Sequence, residues 1–243
     1  WAIVQGRLRE MVADPSGVRA RKPEAIAKLI EGLLLGGFAM QAFQSSRPAS
    51  GAEHQFSHLW DMQHHTHNGV APSHGFKVGI GTLAMTALYE FLLEQPLDRL
   101  DVEACIAAWP PESSIAPHVR SLLGEGDVAQ VGLKELAAKY CGLDPLRAQL
   151  NRLRAVWPEL RERLRAQLLP LDTLKAMLRA AGAPTDPELI GISRARLRQS
   201  YYQAYCLRRR FTALDLATRT RLLEPALEEI FGPRGLWPAT PGQ

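Results

Sequence analysis

Apolar residues in this chain recur at spacings of three and four and nowhere alternate over a useful length, so its segments can bury a face only as α-helices. Ile26, Leu29, Ile30, Leu33, Leu34 and Phe38 make the first such face, entered through Pro23, whose fixed φ and missing N–H suit a first helical turn. Gly32, Gly36 and Gly37 each weaken that helix by roughly 1 kcal/mol against alanine, which predicts close packing on another helix. A Ser-, Pro-, Ala- and Gly-rich loop over 45–52 follows, then one or two helical turns over 54–62. A polar turn through Asn68, Gly69 and Pro72 leads into an apolar helix from Gly75 to about Leu93, stopped by Pro96. Gly75, Gly79 and Gly81 predict that something approaches its first turns closely. Downstream, Leu146, Leu150, Leu153, Trp157, Leu160 and Leu164 keep a helical beat that Pro158 is expected to break. Asp172 is expected to cap a helix closed by Gly182, Ser193 to cap the next, and Gly232 and Pro233 to end the last. The fold class read from this pattern is all-α, with no βαβ unit and no GxGxxG motif.

The charge balance narrows the partners. A net charge of +4 suits an anionic ligand, but no basic stripe is interleaved with aromatics, and Arg208, Arg209 and Arg210 read as a solvated helix end, so no nucleic acid is expected. Cys105, Cys141 and Cys206 form neither a CxxC pair nor a disulfide framework, which fits a reducing, cytoplasmic compartment. The longest uncharged stretch, Gly32 to Ser46, is short of the roughly 20 apolar residues of a bilayer span and reads as a buried helix, so no membrane span is expected. The chain opens on Trp1 without an initiator Met, from which a fragment with a missing upstream part is expected.

The chemistry concentrates in one place. Six of the seven histidines, His54, His58, His64, His65, His67 and His74, fall between positions 54 and 74, with Glu53 and Asp61 beside them, and neutral imidazole suits zinc, nickel and iron. His54 and His58 stand four apart and share a helix face, and a hairpin through Asn68 to Ser73 could return His74 to them. His64, His65 and His67 read as a solvated rim, and His118 as a hydrogen-bonded core histidine. Glu53 is either a carboxylate orienting an imidazole or a helix-start acid stabilised by the dipole. Lys77 and Arg47 are candidate anion contacts, each also readable as an ordinary surface cation.

The runs Ser45 to His54 (SSRPASGAEH), Phe56 to His58 (FSH) and Ser73 to Thr82 (SHGFKVGIGT) resemble the metal-site signature of the sn-glycerol-1-phosphate dehydrogenases, a branch of the glycerol dehydrogenase, iron-type alcohol dehydrogenase and dehydroquinate synthase superfamily. The resemblance implies that residues 1–243 are the helical metal- and substrate-binding C-terminal domain of a two-domain enzyme whose N-terminal nucleotide-binding domain is missing. It implies His54 and His74 as metal ligands, a third aspartate ligand upstream of Trp1, and His58 beside the substrate, orienting it or relaying a proton. A divalent metal, zinc foremost with nickel or iron as alternatives, and NAD or NADP are the implied cofactors. The implied substrate is a small phosphorylated molecule, dihydroxyacetone phosphate or sn-glycerol 1-phosphate, with Lys77 and Arg47 as hypothetical phosphate contacts. An unphosphorylated polyol or alcohol substrate and a non-catalytic helical metal-binding module are the rival readings, and a homo-oligomer is left open.

Overall fold

The computed structural model describes residues 2–238. Four helices open the chain: α1 (Ala2–Gln5), α2 (Leu8–Met11), α3 (Pro15–Arg19) and α4 (Pro23–Phe43). Next come α5 (Ala52–Met62), α6 (His74–Glu94), α7 (Val102–Ala107), α8 (Ile115–Leu123) and α9 (Asp127–Lys139). The remainder is α10 (Leu143–Gln167), α11 (Leu171–Ala181), α12 (Arg194–Cys206), α13 (Ala213–Arg219) and α14 (Leu223–Ile230). No strand occurs among the described residues, and the fold is all-α as the spacing predicts.

The central helix is α6, whose apolar residues lie on all sides and are buried along its middle turns, with Phe76 of the first turn exposed. Ile80, Leu83, Ala84 and Leu88 are fully buried in it. Against it α5 turns Phe56, Leu59 and Trp60, and α12 contributes Tyr201, which meets Phe56 edge-on at 5.0 Å. The polar ends of these aromatics are satisfied: the Tyr201 hydroxyl donates to the Ala84 carbonyl at 2.8 Å, and Trp60 Nε1 donates to Ser200 Oγ at 3.0 Å.

Helix boundaries follow local chemistry. Pro23 sits in the first turn of α4, Ser193 Oγ accepts from the Arg196 N–H at 3.2 Å to cap α12, and Gly182 closes α11 in the left-handed region at φ 81°. Two boundaries differ from the sequence reading. Helix α11 starts at Leu171, whose N–H is taken at 2.7 Å by Glu90 of α6, so the cap comes from across the fold and Asp172 lies inside the first turn. Helix α10 runs through Pro158 without interruption. The neighbouring Trp157 is buried against Leu93 and Leu97 and donates from Nε1 to the Gln95 carbonyl at 3.0 Å, an anchor that offsets the backbone bond the proline forgoes.

The largest departure is α4. The segment read as a buried helix is exposed along Ile30, Leu33, Leu34, Phe38 and Phe43. Both α4 and α6 are long and apolar enough to cross a bilayer, but 67% of the most apolar window of α6 is buried in the core against 6% for α4. Among the described residues the main packing on α4 comes from the short helices α1, α2 and α3. Of its glycines Gly32 alone is tightly packed, against Met11, while Gly36 and Gly37 face open space.

Candidate metal centre

Local sequence determines how the histidines meet. Gly51 precedes the first turn of α5, and Glu53 reaches back so that its Oε1 accepts the Gly51 N–H at 2.8 Å. With Phe56, Leu59 and Trp60 turned into the core, His54 and His58 fall on the opposite, open side of the same helix. The chain then reverses at Asn68 and Gly69, both at positive φ (53° and 78°), within a tight turn closed by the reciprocal His67 and Val70 backbone bonds at 2.8 and 3.1 Å. Asn-Gly is the pair that tolerates such a turn. Ser73 Oγ caps α6 by accepting the Phe76 N–H at 3.2 Å, which places His74 at the first helical position.

Two of the glycines expected to admit a close approach do not: Gly75 faces open space and Gly79 meets only Leu178 at ordinary contact. At Gly81 a Cβ would lie 2.4 Å from the Glu53 carbonyl oxygen. Backbone therefore meets backbone where α5 crosses α6, one residue before His54.

The three imidazoles converge. Ring centroids of His54 and His74 are 5.3 Å apart, and His58 stands 6.0 Å from His74 and 6.3 Å from His54. Two imidazoles sharing a tetrahedral ion through nitrogens at about 2.0–2.1 Å place their centroids roughly 5 Å apart, so the His54–His74 pair fits a divalent metal. Among the described residues no set of three His, Cys, Asp or Glu side chains closes around one point.

Both rings are oriented by their Nδ1 atoms. His54 Nδ1 lies 2.8 Å from Glu53 Oε1, and His74 Nδ1 lies 3.0 Å from Ser57 Oγ. Ser57 in turn points its hydroxyl at Asp61 Oδ2, 3.5 Å away, so it accepts from the Nδ1–H of His74. Each imidazole is thereby left with Nε2 as its free lone pair, the arrangement a metal-ligating histidine needs. Burial alone would raise the pKa of Glu53, but the hydrogen bonds from His54 and the Gly51 N–H hold it below the ordinary carboxylate value. Burial, then the charge of Arg208, lowers the pKa of His58, which is neutral near neutral pH.

Ser57 is fully buried, and in the sequence only its spacing of four from Asp61 on one helix points to it. Ser57→Ala leaves the Nδ1–H of His74 without its acceptor and is expected to lower metal affinity by about 10–100-fold in competition with a chromophoric chelator. Unchanged affinity would show that the serine does not hold the ring.

Other candidates fall elsewhere. Lys77 is buried, 3% exposed, with its ammonium on Asp61 Oδ1, so its charge is already matched and no free cation is offered to a phosphate. Arg47 is exposed in the loop before α5. His65 is buried rather than on a solvated rim: Nε2 donates to the Ile190 carbonyl at 2.7 Å and Nδ1 accepts from Arg196 at 2.8 Å, tying the loop to α12. His118 is exposed on α8 rather than in the core.

Arg208, Arg209 and Arg210 are not simply a solvated helix end. Arg209 is turned to Glu135 of α9, with Nη2 at 2.6 Å and its backbone N–H at 2.9 Å, while Arg210 donates to Ser46 Oγ at 2.7 Å and the Ser50 carbonyl at 3.1 Å. The Arg209 hydrogen bonds pull the pKa of Glu135 down to about 2. A depressed carboxylate pKa contributes stability that is present above its unfolded value of 4.5 and is lost as pH falls through about 2. The stability gap between the native chain and Arg209→Gln, read by urea unfolding, is therefore expected to be constant near pH 7 and to close from about pH 4.5 downward. A pH-independent gap would exclude the linkage.

No family model matches the chain, and no solved structure matches it. Curated proteins do. A glycerol-1-phosphate dehydrogenase [NAD(P)+] of Halalkalibacterium halodurans is 37% identical over 106 residues, covering 44% of this chain and 26% of the relative. Proteins of the same name from Pyrococcus horikoshii and Pyrococcus abyssi are 32% and 39% identical over 147 residues, in both cases 55% of this chain and 41% of the relative. The chain thus spans less than half the length of these curated relatives. Over part of its length this all-α chain is similar to curated glycerol-1-phosphate dehydrogenases, and it resembles the C-terminal domain of that family.

Proposed function

We propose that this chain supplies the metal- and substrate-binding half of a metal-dependent NAD(P) oxidoreductase that interconverts dihydroxyacetone phosphate and sn-glycerol 1-phosphate. The observation that carries the proposal is the approach of His54 and His74 to 5.3 Å, with each Nδ1 already engaged by Glu53 or Ser57. His54 and His74 would hold a divalent ion, zinc by preference, through their ring nitrogens. When bound, that metal supplies Lewis-acid polarisation of a substrate oxygen.

The chain's own residues do the rest of this half of the work. Glu53 and Ser57 fix the two ligating tautomers, and the Lys77–Asp61 ion pair holds Ser57 in place. His58, neutral and beside both histidines, would take the proton of the substrate hydroxyl on a ring nitrogen and return it in the opposite direction, a role its nearness to the pair supports. The NAD(P) named for the relatives is assigned to the part of a longer protein that this chain does not match, and the outward apolar face of α4 is where that part would sit. The three unpaired cysteines accord with a cytoplasmic enzyme.

The test is an assay of the longer protein, metal-loaded, with NADH or NADPH on dihydroxyacetone phosphate and on dihydroxyacetone. Preference for the phosphorylated ketone is expected. Equal rates on the two would move the enzyme to unphosphorylated polyols, and no reduction of either would overturn the proposal.

A further inference from the structure

Away from the histidines, two cavities adjoin where the amino-terminal helices meet the long ones. The first, about 480 Å³, is lined from α2 and α3 by Met11 and Val18, from α11 by Met177 and Leu178, and from α6 by Thr82 and Thr86. Both threonine hydroxyls are spent on their own helix, donating to the Val78 carbonyl at 2.9 Å and the Thr82 carbonyl at 2.8 Å. Helix α6 therefore offers this space no free hydroxyl hydrogen, and its walls suit a hydrocarbon. The second cavity, about 530 Å³, shares Gln5, Leu8 and Gln167 with the first and adds Arg9 of α2 and Arg163 of α10.

No carboxylate lines either cavity, so these two arginines are its charged residues. Both are poorly matched. Among the described residues Arg9 enters no ion pair, and its Nη2 donates to the Ala166 carbonyl at a long 3.4 Å. Arg163 meets Glu159 at 3.8 Å with both side chains exposed, an ion pair worth little. An apolar space of pocket size that ends at two guanidiniums has the chemistry of a site for an anionic amphipath.

We infer that the joined cavities bind a medium-chain aliphatic carboxylate, its tail in the first and its head group on Arg9 and Arg163. No residue of the metal centre lines either space, so this site is separate from the proposed oxidoreductase site and does not depend on it. A polypeptide segment is a poorer occupant, because its backbone N–H and C=O groups would enter a space with few partners for them. An unbranched chain suits walls that carry two methionines, which adapt to irregular shapes.

Calorimetric titration of the chain with decanoate and decanol, each below the concentration at which it aggregates, and with acetate tests the assignment. Decanoate is expected to bind more tightly than decanol, and acetate not measurably. Each methylene removed from decanoate is expected to weaken binding about fourfold. Ala181 lines the first cavity, and Ala181→Phe, which fills it, is expected to abolish binding of both long-chain probes. Arg9→Gln with Arg163→Gln is expected to weaken decanoate about threefold to tenfold and to leave decanol unchanged. Leu33→Ser with Phe38→Ser, on the open face of α4, is expected to change neither. Should Ala181→Phe fail to fold by circular dichroism, the arginine pair decides, since both side chains are exposed. Decanoate affinity unchanged in the arginine pair overturns the proposal, as does binding lost in the α4 variant, which would mean adsorption to that helix. Binding absent from the chain, or present in the chain and absent from the longer protein, where other residues would then fill the space, overturns it as well.

Discussion

His54→Ala and His74→Ala are each expected to strip the chain of its divalent metal and to silence the longer protein, while His58→Ala keeps the metal and loses turnover. Of the three converging rings these two lie nearest each other, at 5.3 Å, and each has a partner at Nδ1. Removing one leaves a single imidazole, so the loss of affinity should exceed the roughly 10–100-fold that follows from disturbing only the groups that orient a ligand. The charge stabilisation lost with the ion is several kcal/mol, on the order of 1000-fold in rate. His58 stands 6.0 and 6.3 Å from the other rings and is read as a proton carrier, whose removal costs on the order of 100-fold or more in kcat. Elemental analysis beside steady-state kinetics separates the roles. Full metal content in both His54→Ala and His74→Ala would dismantle the centre.

The second large effect concerns stability. Lys139, at the end of α9, and Asp215, in the first turn of α13, are 3.1 Å apart, with side chains 4% and 1% exposed. Asp215 Oδ2 also accepts from the Thr212 N–H and hydroxyl at 2.9 and 3.1 Å, so one carboxylate closes a helix cap and neutralises a buried ammonium. The ammonium lies 3.6 Å over the Tyr205 ring and donates to that residue's carbonyl, so α9, α12 and α13 join at one point. Asp215→Ala strands the lysine in the interior, a loss of about 3–5 kcal/mol for a broken buried pair. In a chain of this length the expected fall in Tm is roughly 6–20 °C by differential scanning calorimetry. A double variant, Lys139→Met with Asp215→Asn, removes both charges and should regain part of the loss. A fall of less than about 2 °C for Asp215→Ala would show that the pair carries little of the stability.

Features set by neighbours in sequence were legible in advance; those set by partners across the fold were not. Pro23, Ser193 and Gly182 act on their own backbone within four residues, and each does what its chemistry predicts. The meeting of His54 and His74 was also readable, because a four-residue spacing and an Asn-Gly turn are local. The Lys77–Asp61 pair is sixteen residues long-range and has no local signature, which is why Lys77 looked like a free cation. The Glu90 cap on Leu171 spans 81 positions, and the bonds of Arg210 to the Ser46 loop span 164. The apolar face of α4 marks the residues that seek cover without saying whether this chain provides it.

The contact between Gly81 and the Glu53 carbonyl bears on the proposed metal centre through the backbone alone. A crossing bounded by main chain on both sides cannot be widened by rotating side chains, so the spacing of α5 and α6 beside His54 is set by the fold. A divalent ion held by His54 and His74 would have to be met by rotation of the two imidazoles, while the helices keep their spacing.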